Sequence, residues 1–195
     1  NYVTIGSFTH HPFYQQFVFE GADNWSNGMI YNVPLDELIQ TMHDAIDKGF
    51  TFSWVSDVSN RGFNHSMGYA LLPDIALEYQ TEALKAAWSK RTEGQRKQLM
   101  YSMTQPVPEI KVSQKMRQQS FDQLSTTEDH LMHVCGKAYD QFGKPYFIVK
   151  NSWGAMNRYE GYIYASQPYV KMHTLSIALH KNAMPAEIKK KLGIE

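Results

Sequence analysis

His130-Leu131-Met132-His133-Val134-Cys135-Gly136-Lys137-Ala138-Tyr139-Asp140-Gln141-Phe142-Gly143-Lys144-Pro145-Tyr146-Phe147-Ile148-Val149-Lys150-Asn151-Ser152-Trp153 holds two β-forming runs around a turn-rich connector. The runs, 131–139 and 145–149, predict an antiparallel hairpin. With residues 140–143 as a four-residue loop, Tyr139 pairs with Lys144 and His130 falls opposite Trp153. Asn151 then sits one diagonal step from His130 on the same face. Such diagonal neighbours have Cα atoms roughly 5.5–8 Å apart, within reach of an imidazole–amide hydrogen bond. A register shift of two residues puts His130 directly opposite Asn151, and only an odd shift or a bulge separates their faces.

That pairing has a chemical use. A thiol must lose its proton to become a good nucleophile. An imidazole can take the proton, and a third group can hold the imidazole in the required tautomer. An amide oxygen accepting the imidazole N–H can be that third group. Trp153, a large aromatic beside the pair, is placed to keep water off the bond. Without such a partner His130 would read as a structural histidine, and Asn151 could instead close the strand by an Asx-type turn.

Outward from the hairpin, Tyr162-Ile163-Tyr164 and residues 173–179 read as two more strands, with a helical turn at 167–171 between them. Residues 185–192 predict a final helix, with Pro185 in its first turn and Gly193 after its end. Upstream, Leu35, Leu38, Ile39, Met42, Ala45 and Ile46 fall at helical spacing over 34–48, and Phe50, Phe52 and Trp54 alternate as a strand ending near Asp57. Tyr2-Val3-Thr4-Ile5 alternates like a strand, and the aromatic-rich 8–19 stretch reads as irregular covering whose chemistry is packing. Residues 60–77 predict a loop. Residues 77–103 predict two helices divided at Thr92-Glu93-Gly94, and 112–124 a third. No internal repeat or low-complexity linker divides the chain, so 1–195 reads as one unit.

Lys plus Arg equals Asp plus Glu, 19 of each, so neither nucleic acid nor an anionic membrane is implied as a partner. No apolar run approaches the roughly 20 residues needed to span a bilayer. The first residue is Asn1 rather than Met, and the expectation is that the natural polypeptide extends upstream. A cytoplasmic location is favoured, with secreted and periplasmic ones left open. The single cysteine, Cys135, cannot form an internal disulfide. It lies five residues past His130, on the opposite strand face and roughly 16 Å along the strand axis, and is expected to be a buried structural thiol. His130 and His133 face opposite sides of a strand, and the adjacent side chains of His10 and His11 are expected to diverge, so no metal site is predicted. Asp57 is expected to be a solvated or strand-end residue. The ten Met residues read as core filler, and no cofactor is implied.

Ser125-Thr126-Thr127-Glu128-Asp129-His130-Leu131-Met132-His133 and Tyr146-Phe147-Ile148-Val149-Lys150-Asn151-Ser152-Trp153-Gly154 resemble the His and Asn motifs of papain-like cysteine peptidases. Tyr31-Asn32-Val33-Pro34-Leu35-Asp36, Ser56-Asp57-Val58 and Lys190-Lys191-Leu192-Gly193-Ile194 resemble one branch, that of bleomycin hydrolase and bacterial aminopeptidase C. The resemblance is weakest over 60–124. It implies an α+β chain: the β-rich half of the papain-like fold, with a barrel-like antiparallel sheet and flanking helices.

By the same resemblance His130 is the general base, Asn151 its orienter and Trp153 the shield. Asp129, read from its place beside His130 rather than from the resemblance, is expected to be a solvated or strand-end residue, with electrostatic tuning of the imidazolium as its other reading. The C-terminal arm ending in Ile194 and Glu195 would limit cleavage to the substrate N-terminus. A frayed terminus is the competing reading. The family's Gln-Gly…Cys-Trp nucleophile segment has no counterpart here. The expectation is therefore a cysteine-type peptidase, an aminopeptidase acting on peptide substrates through a thioester. This chain would be inactive alone and would depend on an upstream Cys-bearing portion, with a homo-oligomer left open. The alternatives are a catalytically dead papain-like binding or regulatory domain and, more distantly, a metal-dependent hydrolase.

Overall fold

Pro34, with extended ψ, opens a helix whose buried stripe is the periodic set Leu35, Leu38, Ile39, Met42 and Ala45, and Asp36 and Glu37 lie in its first turn, where the helix dipole favours negative charge. This is α1 (Leu35–Asp47). The structure is a computed structural model that describes residues 1–21, 24–74, 88–102, 107–127 and 130–195. The first half of the predicted 77–103 helical region lies largely outside these residues. So does Asp129.

Among the described residues the strands are β1 (Tyr2–Gly6), β2 (Gln16–Val18), β3 (Met29–Asn32), β4 (Phe52–Ser56), β5 (Phe63–Asn64), β6 (Tyr69–Ala70), β7 (His130–Tyr139), β8 (Pro145–Lys150), β9 (Tyr162–Ser166) and β10 (Thr174–His180). The remaining α-helices are α2 (Glu93–Met100), α3 (Gln114–Asp122), α4 (Gln167–His173) and α5 (Ala186–Leu192). The strands form one sheet in the order β2-β3-β1-β10-β4-β7-β8-β9-β6-β5. Its centre, from β1 to β9, is antiparallel, and two parallel pairs, β1 with β3 and β6 with β9, extend it on either side. These parallel additions were not expected. They come from two- to four-residue strands too short to show alternation in the sequence.

The Thr92 break is a helix start: Thr92 and Gln95 form a reciprocal capping box for α2. Ser113 caps α3 through the Met116 amide, and Ser166 caps α4 through the Tyr169 amide. α5 closes at Gly193, whose φ of 65° is left-handed.

Side chains from β1, β4, β7, β8, β9 and β10 pack with α1, α4 and α5 into the main core, where Trp54, Val134, Phe147, Val149, Ile163, Tyr169 and Ile177 are fully buried. Phe8, Phe17 and Phe19 form a second cluster with Ile30 and Leu175, as the covering role of 8–19 requires. Arg117 is also fully buried, under the Phe8 ring, donating to the carbonyls of Ser7 and Thr174. With no counter-charge among the described residues to offset desolvation, its pKa falls to about 9.

Candidate active site

The hairpin forms with a turn one residue longer than expected. Tyr139 pairs with Pro145 rather than Lys144, and the Asp140 amide donates to the Lys144 carbonyl. The register then shifts between Val134 and Gly136, so that His133 pairs with Lys150. The bulge at Cys135 cancels the extra loop residue, and nearer the site the pairing is the one that the four-residue loop predicted. β7 begins at His130, opposite Ser56 of β4, and β8 ends one residue before Asn151.

Here His130 Nε2 lies 2.7 Å from Asn151 Oδ1. An amide oxygen only accepts, so the imidazole donates and carries its proton on Nε2. Among the described residues Nδ1 has no hydrogen-bond partner, which leaves its lone pair available to another group. Asn151 is 3% exposed. Its Oδ1 also accepts from the amide of Ser152 at 2.7 Å, and its own amide donates to Gly161 O. The Asx turn, which would engage the residue two positions on, is not formed.

Trp153 lies beside the pair, with its ring centroid 4.9 Å from that of His130 and the planes tilted by 31°. At 47% exposure it covers one side only. The other cover is a loop that sequence reasoning missed. Phe63 and His65 meet the Trp153 ring edge-on, and His65 Nδ1 lies 3.2 Å from Asn151 Nδ2. His65 carried no local signal, because it lies 86 residues from Asn151 and only the sheet brings the two together. Its loop is shaped at Gly68, where φ is +74° and a Cβ would lie 2.2 Å from the Tyr159 ring. The buried Asn157 ties this loop to the segment after Trp153: its Nδ2 donates to the carbonyls of His65 and Tyr162, and its Oδ1 accepts from the amides of Tyr159 and Gly161.

Asp57 is not solvated, being 1% exposed. Its carboxylate accepts from Ser59 N and Oγ and from Thr127 N, fixing the chain three residues ahead of His130. The sequence showed a polar residue at a strand end, where burial could not be read.

Cys135 is exposed rather than buried, because the bulge places it outside the paired ladder. Its sulfur leans on the β8 backbone toward Ile148 O, and partial burial there pushes the thiol pKa up, opposite to an activated nucleophile. Ile194 packs against the main core, while Glu195 is exposed, and among the described residues no hydrogen bond or ion pair joins Glu195 to His130 or Asn151.

His10 and His11 do not diverge. Their ring centroids are 4.5 Å apart, and both Nε2 atoms reach the Glu20 carboxylate, at 3.0 and 3.1 Å. The geometry resembles a His₂Glu metal set. The second ring nitrogen of His10 argues against that use. Gln118 Oε1 accepts from Thr9 N and its Nε2 donates to Asp122, so the amide orientation is fixed and Nε2 also donates to His10 Nδ1. A metal on Nε2 would require a proton on Nδ1, facing another donor. The cluster is a hydrogen-bonded triad, held in place by stacking of His10 on Phe121 and His11 on Phe17.

Residues 85–195, more than half of the chain, match the model of the Peptidase C1-like family. The chain belongs to this family. A crystal structure of PepW from Lactobacillus rhamnosis HN001 superposes with a TM-score of 0.65 at 17% identity, covering 98% of this chain and 38% of the PepW chain. The bromelain protease of Ananas comosus gives a TM-score of 0.36 at 16% identity over 74% of this chain and 45% of that one. No curated protein matches the sequence significantly. The Peptidase C1-like chain thus has the papain-like α+β fold and spans well under half the length of PepW.

Proposed function

We propose that this chain supplies the general base and its orienting amide to a cysteine peptidase of aminopeptidase type, whose nucleophilic thiol comes from a segment outside these 195 residues. The observation that carries the reading is the 2.7 Å bond from His130 Nε2 to Asn151 Oδ1. It fixes the neutral imidazole with its lone pair on Nδ1, the form that can take a proton from a thiol. The thiolate then attacks the scissile carbonyl carbon. As the C–N bond breaks, the imidazolium returns its proton to the leaving amine, and a thioester remains. His130 next takes a proton from water, the hydroxide attacks the thioester carbonyl, the C–S bond breaks, and the thiolate regains its proton from the imidazolium as the acid product leaves. Asn151 accepts the same N–H throughout, so the ring stays oriented as its charge changes.

Cys135 does not serve as nucleophile, for it lies on the opposite strand face with a raised pKa. The arm at Ile194 and Glu195 is the candidate for restricting cleavage to the peptide N-terminus, and closed homo-oligomers would suit that use. The deciding experiment is hydrolysis of an aminoacyl anilide by the complete protein with and without iodoacetamide, beside the His130→Ala variant. Activity lost in both cases is the expected result. Activity that survives either treatment overturns the reading, and a complete protein lacking any cysteine that reaches His130 makes the chain a non-catalytic binding domain.

A further inference from the structure

The buried Asn151 carboxamide is held at both ends, and the group at its nitrogen end has no role in the reaction as written. Nδ2 of Asn151 has only protons to offer, so His65 Nδ1, 3.2 Å away, must accept. The neutral His65 ring then carries its proton on Nε2. That atom is buried and, among the described residues, has no hydrogen-bond partner. An orphaned buried N–H is costly, and the opposite tautomer would be worse: it leaves Nε2 unsatisfied as well and turns an N–H against the Asn151 NH₂. The Nε2–H tautomer of His65 is therefore the one matched to this orientation of the Asn151 amide.

We infer that His65 is a positioning residue which sets the tautomer of His130 through Asn151. This rests on the reading above only in giving the His130 Nδ1 lone pair a use. Suppose the carboxamide turned by half a revolution. Its NH₂ would face His130 Nε2, which would have to become the acceptor, and the proton of His130 would move to Nδ1. The lone pair needed to take a proton from a thiol would then be gone. In its Nε2–H tautomer His65 opposes this rotation, because a carbonyl oxygen would then face the Nδ1 lone pair. The Ser152 amide holds Oδ1 in place from the other side. Asn157 holds the His65 carbonyl and so fixes the backbone from which the ring projects.

The test is long-range 1H–15N spectroscopy of the 15N-labelled chain at about pH 8.5, where free imidazoles are neutral. Both His65 and His130 are expected as Nε2–H tautomers. His65 found as Nδ1–H overturns the proposal with no substitution made. His65→Phe keeps a ring against Trp153 but removes the acceptor, and should shift the His130 tautomer ratio about three- to tenfold toward Nδ1–H. His65→Asn, whose Oδ1 can occupy the position of the imidazole Nδ1, should restore it. A His130 ratio unchanged in His65→Phe, or equally shifted in His65→Asn, overturns the proposal. If His65→Phe does not fold, the unmodified chain and His65→Asn still decide. In the complete enzyme kcat of the Phe variant should fall in proportion to the Nε2–H fraction that His130 retains, with KM unchanged and recovery in the Asn variant. Absence of hydrolysis in every form would reject the peptidase reading and leave the tautomer result standing.

Discussion

His130 and His11 each bring Nε2 within hydrogen-bond reach of a side-chain oxygen, at 2.7 and 3.1 Å, yet the two sites are built for different ends. The acceptor at His130 is a neutral amide, 3% exposed, whose other atoms are all engaged. At His11 it is a carboxylate whose side chain is 57% exposed and shared with His10. A neutral buried acceptor orients an imidazole without changing its own charge. An exposed carboxylate attracts an imidazolium, but solvent screens the attraction. The first arrangement suits a ring that must gain and lose a proton in one place, and the second is a surface clasp.

The largest expected effect that would break this contrast is on chemistry. In the complete enzyme, His130→Ala should lower kcat by about 10³-fold or more, measured by anilide hydrolysis, and a loss below tenfold would place the two imidazoles on the same footing. Next is Asn157→Ala, which strands two carbonyls and two amides behind the site. It should cost about 2–4 kcal/mol in urea unfolding, far more than any change at Glu20. Asn151→Ala should reduce kcat about ten- to hundredfold while KM holds, because orientation of the base is lost and binding is not.

Smaller effects belong to the surface clasp. Burial raises the Glu20 carboxyl somewhat, but hydrogen bonds from His10 and His11 outweigh it and hold the pKa below its ordinary value of 4.5. A folded pKa below the unfolded one adds stability that is present above about pH 4.5 and lost as pH falls through the lower folded value. Glu20→Gln should therefore flatten the melting midpoint between about pH 5 and pH 3, by less than ~1 kcal/mol after screening. Smallest of all, zinc should leave the midpoint of the chain within about 1 °C, and a clear rise lost in Glu20→Gln would show the cluster to be a metal site.

The hairpin and the shared face of His130 and Asn151 were legible in the sequence because alternation and turn chemistry are local signals. The bulge was not, since a one-residue slip at Cys135 leaves no mark on the apolar pattern around it. Short strands such as β5 and β6 lack the length to show a period. His65 and the buried state of Asp57 depend on chain segments meeting across the sheet, and neither has a signature within a window of residues. For His10 and His11, the expectation of divergence failed because both rings stack on phenylalanines that turn them toward Glu20.

The slip at Cys135 also separates two parts of the chain that would otherwise constrain each other. Connector length at Gln141 and Phe142 can vary by a residue, and the ladder absorbs the slack before it reaches Val134. A peptide tag or affinity handle grafted at that exposed tip is thus mechanically insulated from the His130 end of the same hairpin, which makes the tip a natural attachment point for probes.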